Sequence, residues 1–475
     1  MALAGLEGKG CLLFSSPEAT KTCKEYATSS ARGENALSAD EISIRIFDID
    51  VRYYAILFPA AKAPGIQPFW LYSGVGVSSR LAEESMKHIE LLHEVTDPSS
   101  PAPKLEDVPA HAQLRERIAG LMERAPVGLP RQAKVSPDDV YLYQTGMAGI
   151  YNVHQYLLSR FNTTTVLFGF AYDHTPHVLE DFGPGYKHIG GLSTPEEYEE
   201  LEEHLKTKAK EGMKVQAVWT EFPSNPLIVT PDLSRLRKLA DKYEFVLVVD
   251  DTVGSFCNVD VLETADIVVT SLTKSFSGYA DVMGASAVLN PSSKIYHELR
   301  SMFKELYKNE YCNGDAETME HNSRDYMSRS VTLNNNALRL VEYLHGLASE
   351  PKSCVARVWY PTVNQDHPYY EVTMRKKTED FTPGYGCLFT VEFKTVDATI
   401  AFYDNLNVHH GPHLGAHLTL ALAYVKALYS KDLEWAGKYG LKDTQIRISV
   451  GLEDTKELLD IFKEAIAVAD AVKRE

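Results

Sequence analysis

Six short apolar runs between residues 140 and 290 constrain the fold more than any other feature of this chain. They are Tyr141–Tyr143, Thr164–Phe168, Val215–Thr220, Phe245–Val249, Asp266–Thr270 and Ala285–Leu289. Most of them show no clean polar–apolar alternation. A strand wetted on one face alternates, whereas a strand covered on both faces does not. Helical patterns fit between several of the runs. In one, Thr230 stands as N-cap with Pro231 at the first helical position, and Leu233, Leu236 and Ala240 fall on one face. Strand and helix in alternation predict an α/β domain with a mainly parallel sheet over residues 126–345.

The flanks differ. Beyond about residue 345, strand-like Cys387–Phe393 and Gln445–Val450 mix with helical Ala398–Leu406, Leu418–Tyr429 and Lys456–Ala469, which predicts a smaller α+β domain over 346–475. Residues 1–125 form an N-terminal region, with strand-like runs in Ile42–Phe58 and helical patterns over Ser79–Leu92 and Ala110–Ala125. Pro98–Val108, rich in Pro, Ser and charge, reads as a loop. A chain of 475 residues is expected to divide into two or three such units.

Bulk chemistry excludes several function classes. The formal net charge is −17 and no dense Lys/Arg cluster occurs, so no nucleic-acid partner is expected. No run of about 18 apolar residues exists, so no membrane span is expected. The segment MALAGLEGKGCLLFSS lacks a basic region followed by a long apolar stretch, which argues against a secretory signal. Six cysteines without a C-x-x-C pair read as free thiols in a reducing compartment. A cytoplasmic protein is the expectation.

The chemistry-bearing residues sit where the runs end. Ser271-Leu272-Thr273-Lys274 follows DIVVT, at the carboxyl end of a strand, where open α/β sheets bind ligands. Ser271 and Thr273 can donate to phosphate oxygens, and the Lys274 amine can form an imine with an aldehyde cofactor. Alone, such a tetrapeptide is more often a solvated turn. Asp250 closes VLVVD, followed by Asp251 and Thr252. A buried carboxylate there can keep the ring nitrogen of pyridoxal phosphate protonated, although an isolated aspartate serves equally as metal ligand or helix cap. Gly146 and Met147 open a helix after Tyr143, and the amides of a first turn form an anion cup. Tyr172 can stack on a pyridine ring. Asn225, between Pro223 and Pro226, can reach a phenolic oxygen. Arg447 can grip a carboxylate with two parallel bonds. Read singly, the tyrosine and asparagine are ordinary loop residues and the arginine an ordinary structural ion-pair partner.

Taken in order, these residues resemble the cystathionine γ-synthase branch of the Cys/Met-metabolism pyridoxal-phosphate enzymes. G-M, Y-x-x-T, E-x-P-x-N-P, V-V-D-x-T, S-x-T-K and R-x-S-V-G-x-E all occur in sequence. YSGVGVSSRLAEE and NSRDYMSRS are similar to the fungal-type members, which carry an extended N-terminal region. The resemblance covers about Tyr72 to Glu475. It implies a type I, aspartate-aminotransferase-like fold and a homodimer or homotetramer with shared active sites. An N-terminal arm would contact the neighbouring subunit, with Tyr72 reaching its phosphate. Lys274 and Tyr172 would be catalytic. Asp250, Thr252, Gly146, Met147, Ser271, Thr273 and Asn225 would hold cofactor, and Arg447, Asn225 and His413 would meet the substrate.

Two departures stand out. Many relatives carry Y-x-R where this chain has Tyr72-Ser73-Gly74, leaving Arg80 as the candidate replacement for the phosphate arginine. Many carry S-L-G where this chain has His413-Leu414-Gly415. The resemblance implies γ-substitution on an O-acyl-L-homoserine, O-acetyl in the fungal branch. His413 opens the acceptor to a carbon nucleophile such as a β-keto acid, beside the alternatives of cysteine as acceptor, a C–S lyase, or a non-catalytic scaffold. His409, His410, His413 and His417 offer i, i+4 spacing but no H-E-x-x-H pattern and no nearby cysteine, so no metal site is expected.

Overall fold

The structure is a computed structural model that describes residues 8–103, 106–128 and 130–472. The first seven residues of the segment read for a signal, and two residues of the Pro98–Val108 loop, lie outside the described residues.

The large sheet takes all six apolar runs. Its strands are β5 (Val140–Tyr143), β6 (Thr165–Phe168), β7 (Tyr186–Ile189), β8 (Ala217–Glu221), β9 (Val246–Asp250), β10 (Ile267–Ser271) and β11 (Ala285–Leu289). They lie in the order β5-β11-β10-β9-β8-β6-β7. The five from β10 to β7 are parallel, and β11 runs antiparallel to both its neighbours. Residues Val246–Val249 of β9 and Ile267–Thr270 of β10 are all buried, which explains the missing alternation. β7 was not legible as a strand, because Tyr186, Lys187 and His188 make it an edge strand with a polar face. Register sets the functional edge. Glu221 pairs with Asp250, Asp250 with Val269, Ser271 with Ala285, and Ala285 with Tyr143. The carboxyl ends of the parallel strands β8, β9 and β10 are therefore level.

The N-terminal region forms a four-stranded sheet of β1 (Lys9–Phe14), β2 (Ser43–Asp48), β3 (Arg52–Pro59) and β4 (His93–Glu94), in the order β1-β3-β2-β4. It carries α1 (Pro17–Thr28) and α2 (Ala63–Ser73), and then α3 (Ser79–Lys87) and α4 (Pro109–Met122) lead to the large sheet. Its core joins one face of that sheet across α5 (Gly146–Arg160) and α6 (His174–Asp181). Phe69 meets Phe14, Tyr151 and Phe182 with ring centroids 5.8, 6.1 and 5.6 Å apart. Tyr26 and Arg32 both bond Asp181 at the end of α6.

The C-terminal sheet orders β12 (Val355–Trp359), β13 (Leu388–Phe393), β16 (Gln445–Ser449), β15 (Leu420–Leu422) and β14 (His409–His410). Two expectations are corrected. Leu418–Tyr429 is not one helix: Ala421 pairs with Ile448, so the chain is drawn into the sheet before a short helix at Tyr424–Leu428. Thr230 is not the N-cap of the following helix, which runs Leu233–Tyr243. Asp232 caps it, accepting the Arg235 amide at 2.9 Å, while the Thr230 amide is taken by Asp366. Among the described residues no helix is long and apolar enough to cross a membrane, and all six cysteines are free thiols.

Candidate active site

A cavity of about 210 Å³ opens at the level carboxyl edge of β8, β9 and β10. Gly146, Met147, Tyr172, Asn225, Asp250, Thr252, Ser271, Thr273, Lys274 and Arg447 all line it. Sequence positions 300 residues apart thus converge, because all but Arg447 end a strand of the large sheet or lie within four residues of one, and Arg447 sits inside a strand of the C-terminal sheet.

Its floor is built by the strand ends. Asp250 Oδ1 accepts the Thr252 amide at 2.9 Å, and Thr252 Oγ1 accepts the Ser271 amide at 2.8 Å. Thr273 Oγ1 exchanges bonds with Gly284, accepting its amide at 3.1 Å and donating to its carbonyl at 3.3 Å. Lys274 follows in a tight turn pinned by Arg329, which donates to the Ser275 carbonyl at 2.9 Å and the Phe276 carbonyl at 3.0 Å. Arg329 lies in the NSRDYMSRS segment, and its strap on the lysine turn was invisible in sequence, because the bond spans 54 residues. Burial, reinforced by the Arg447 charge, pushes the Lys274 amine down to about 8. An amine with that pKa is substantially neutral near pH 8 and can act as nucleophile and base.

The anion cup is the start of α5. Thr145 caps it, its Oγ1 accepting the Ala148 amide at 3.0 Å, so the amides of Gly146 and Met147 precede the first satisfied turn. A Cβ on Gly146 would sit 2.9 Å from Ser271 Oγ. That glycine lets the serine hydroxyl reach the helix end.

Glu221 organises the opposite wall, and sequence reasoning gave it no role although it opens the E-x-P-x-N-P motif. Oε1 accepts the Tyr172 amide at 2.6 Å and Oε2 the Asn225 amide at 3.1 Å. Burial and the adjacent Asp250 hold its carboxyl well above the usual range. Burial also raises Asp250, against the opposing effect of its Thr252 bonds. Two carboxyls this close disfavour each other's ionisation. Tyr172 is pushed up to about 12 by burial and by Asp173, so its phenol stays protonated.

Arg447, on β16, is buried. Nη1 donates to Asn225 Oδ1 at 3.1 Å, and Nη2 to the carbonyls of Pro412 at 2.5 Å and His413 at 3.4 Å. Its Nε has no partner, and no carboxylate pairs with it among the described residues. A buried guanidinium without a carboxylate partner can receive one from a ligand.

Two expected residues stand elsewhere. The expectation that Tyr72 reaches the phosphate of a neighbouring subunit concerns a second copy of the chain; within this one its ring stacks on His177 at 4.4 Å and meets His174 edge-on at 5.4 Å. Arg80 is committed to Asp315 at 3.2 Å and Asp281 at 3.7 Å. The His413 side chain is not part of the lining, although Pro412 and Leu414 are. Its Nε2 is buried without a partner, and burial, Lys274 and Arg447 together push it down to about 4. The four C-terminal histidines are separated by their own contacts. His410 stacks on Tyr403 at 4.3 Å and His417 Nδ1 lies 3.4 Å from the Gly278 carbonyl. Among the described residues no three His, Cys, Asp or Glu side chains gather as a metal site.

The donor set fits pyridoxal phosphate. It comprises a lysine lowered to about 8, a half-buried aspartate, an amide-and-hydroxyl anion cup and a buried guanidinium that no carboxylate of the described residues pairs.

Comparison with known proteins agrees. Residues 133–467 match the Cys/Met metabolism PLP-dependent enzyme family, and residues 1–78 the N-terminal domain of fungal trans-sulfuration enzymes. An alanine racemase of Aspergillus violaceofuscus is 35% identical, the match covering 97% of this chain and 85% of the relative. A cystathionine γ-synthase-like enzyme of Amanita muscaria is 34% identical over 98% and 88%. Cystathionine γ-synthase of Neurospora crassa is 37% identical over 76% of this chain and 59% of its own. Among solved structures, cystathionine γ-synthase of Xanthomonas oryzae pv. oryzae superposes with a TM-score of 0.60 at 20% identity, covering 80% of this chain and 92% of the other. That likeness is one of fold, and it bears out the expected type I architecture with its smaller C-terminal α+β part. The chain therefore belongs to the Cys/Met metabolism family of pyridoxal-phosphate-dependent enzymes, on its cystathionine γ-synthase-like branch.

Proposed function

We propose that the chain catalyses γ-substitution on an O-acyl-L-homoserine, with O-acetyl-L-homoserine as donor and a carbon nucleophile such as an enolised β-keto acid as acceptor. The observation that carries this reading is the unpaired Arg447 guanidinium, in one cavity with Lys274. It supports an α-amino acid as substrate.

Pyridoxal phosphate, held by Asp250, Thr252, Ser271, Thr273, Asn225 and the Gly146–Met147 amides and carried by Lys274, would supply the electron sink that lets a Cα–H bond break. The chain's own residues do the rest. Arg447 binds the α-carboxylate through its open edge while Asn225 fixes the guanidinium. Lys274 Nζ takes the Cα proton and moves the Cβ proton. Tyr172 Oη, which holds its proton, hydrogen-bonds the acyloxy oxygen as the group departs as a carboxylate. The His413 side chain, a neutral imidazole at physiological pH, stands just outside the lining, so its part is to set through Pro412 and Leu414 the shape of the wall that meets the acceptor. Serine at that position lacks the bulk, so His413 supports an acceptor other than cysteine. Mass spectrometry of the products from O-acetyl-L-homoserine, with cysteine, homocysteine, sulfide and β-keto acids in competition, tests the proposal. A cystathionine product alone returns the chain to the cysteine acceptor, and release of an α-keto acid without acceptor marks a lyase.

One observation favours a second reading, amino-acid racemisation. The Aspergillus relative bears that name, and the cavity holds a base, Lys274, together with a protonated phenol, Tyr172. Chiral chromatography of L-alanine incubated with the enzyme in deuterated water separates it from γ-substitution.

A further inference from the structure

Among the described residues Arg447 is held by neutral groups alone. Nη1 meets the Asn225 amide oxygen, and Nη2 the Pro412 and His413 carbonyls. The face of the guanidinium is met by Tyr424, whose ring centroid lies 5.2 Å from Cζ. Register brings the two together. Leu422 of β15 pairs with Arg447 of β16, and the chain turns into its short helix at Tyr424, two residues on. Tyr424 is 2% exposed. Its ring lies 6.2 Å from that of Tyr429, which in turn meets Phe170 at 6.0 Å and Trp435 at 5.5 Å. Tyr424 Oη is buried with no hydrogen-bond partner among the described residues. A buried hydroxyl left unpaired opposes folding, so the ring is what earns the tyrosine its place.

We propose that Tyr424 is a positioning residue for Arg447, its π face steadying the guanidinium plane while the fork keeps an open edge and its full charge for the carboxylate of an amino-acid ligand. The inference rests on the reading of Arg447 as the carboxylate receptor. The choice of partner is the physical reason. A protein carboxylate beside Arg447 would hold it firmly, but it would cancel the charge and fill the fork in its own plane. An aromatic face attracts a cation through the ring quadrupole and takes up no N–H. Amide and carbonyl oxygens likewise attract the cation without cancelling it. The unpartnered Nε fits this division, because one in-plane N–H is left over for a ligand. Tyr424 does not line the cavity, so it acts through Arg447 and not on the ligand.

The test is titration of the holoenzyme with glycine, an α-amino acid without a γ-leaving group, and with methylamine, an amine without a carboxylate. Both are followed by visible absorption, and thermal midpoints report folding. Y424L is expected to weaken glycine about three- to thirtyfold and to leave methylamine within about twofold. Y424F keeps the ring and binds both as the parent does. In an R447A background Y424L adds no further loss, because its effect passes through the guanidinium. Should Y424L unfold, Y424M carries the same comparison. Parent-like glycine affinity in folded Y424L overturns the proposal, and so does an equal loss of glycine and methylamine. A loss in Y424F matching that in Y424L, or an additive loss in the R447A background, overturns it as well. R447A itself separates the two readings. Parent-like glycine affinity there sinks the carboxylate reading and the role of Tyr424 with it, whereas loss in R447A beside none in Y424L removes Tyr424 alone.

Discussion

Arg447 donates to Asn225 across 3.1 Å, joining β16 of the C-terminal sheet to the turn that leaves β8 of the large one. The two parts of the molecule are thus tied at the point where a substrate carboxylate would dock.

Replacing Arg447 removes both functions. R447A is expected to lower kcat/KM by about 30-fold or more, mostly through KM, while the visible band of bound cofactor persists. R447K recovers little, because an ammonium lacks the planar fork. Steady-state kinetics with the amino-acid donor checks this.

Lys274 is depressed to about 8 by burial and Arg447. Its neutral form grows tenfold per pH unit below that value and levels above it. The rate at which apo-protein captures pyridoxal phosphate should follow the same curve in stopped-flow absorbance. In R447A the neighbouring charge is gone, so the curve should move to higher pH. K274A should lose the borohydride-sensitive band and at least about 10³-fold in turnover.

Glu221 satisfies two buried amides, those of Tyr172 and Asn225. E221A leaves both without an acceptor, at about 1–3 kcal/mol each. A lower thermal midpoint of the apo-protein, larger for E221A than for E221Q, is the expected result.

His413, pushed down to about 4, carries no charge from pH 6 to 8. H413S should shift acceptor preference toward cysteine in competition assays. It should leave no limb near pH 6.5 to disappear from the kcat/KM profile. An unchanged acceptor ratio would count against a role for the imidazole.

The parallel sheet and most of the cavity were legible because the signals are local. Lys274, Asp250, Asn225 and Tyr172 each follow or end an apolar run, and any open α/β sheet exposes such positions along one edge. Contacts made across the fold were not. Arg80 reads as a spare cation until Asp315 and Asp281 are seen against it. Leu418–Tyr429 has helical spacing, yet a sheet edge captures Leu420–Leu422. Glu221 stands in a recognised motif, but its task depends on a backbone amide 49 residues earlier. Tyr72 was placed from its motif alone, and the ring contacts of the described chain give it neighbours that no local pattern encodes.

The aromatic seam in which Phe69 bridges Phe14 to Tyr151 and Phe182 also bears on any shortened version of this enzyme. Trimming the first hundred residues would strip α5 and α6 to bare rings, and such a fragment would clump in the test tube for reasons unrelated to catalysis. A lineage or a designer that discards the segment must first repaint that flank with charge.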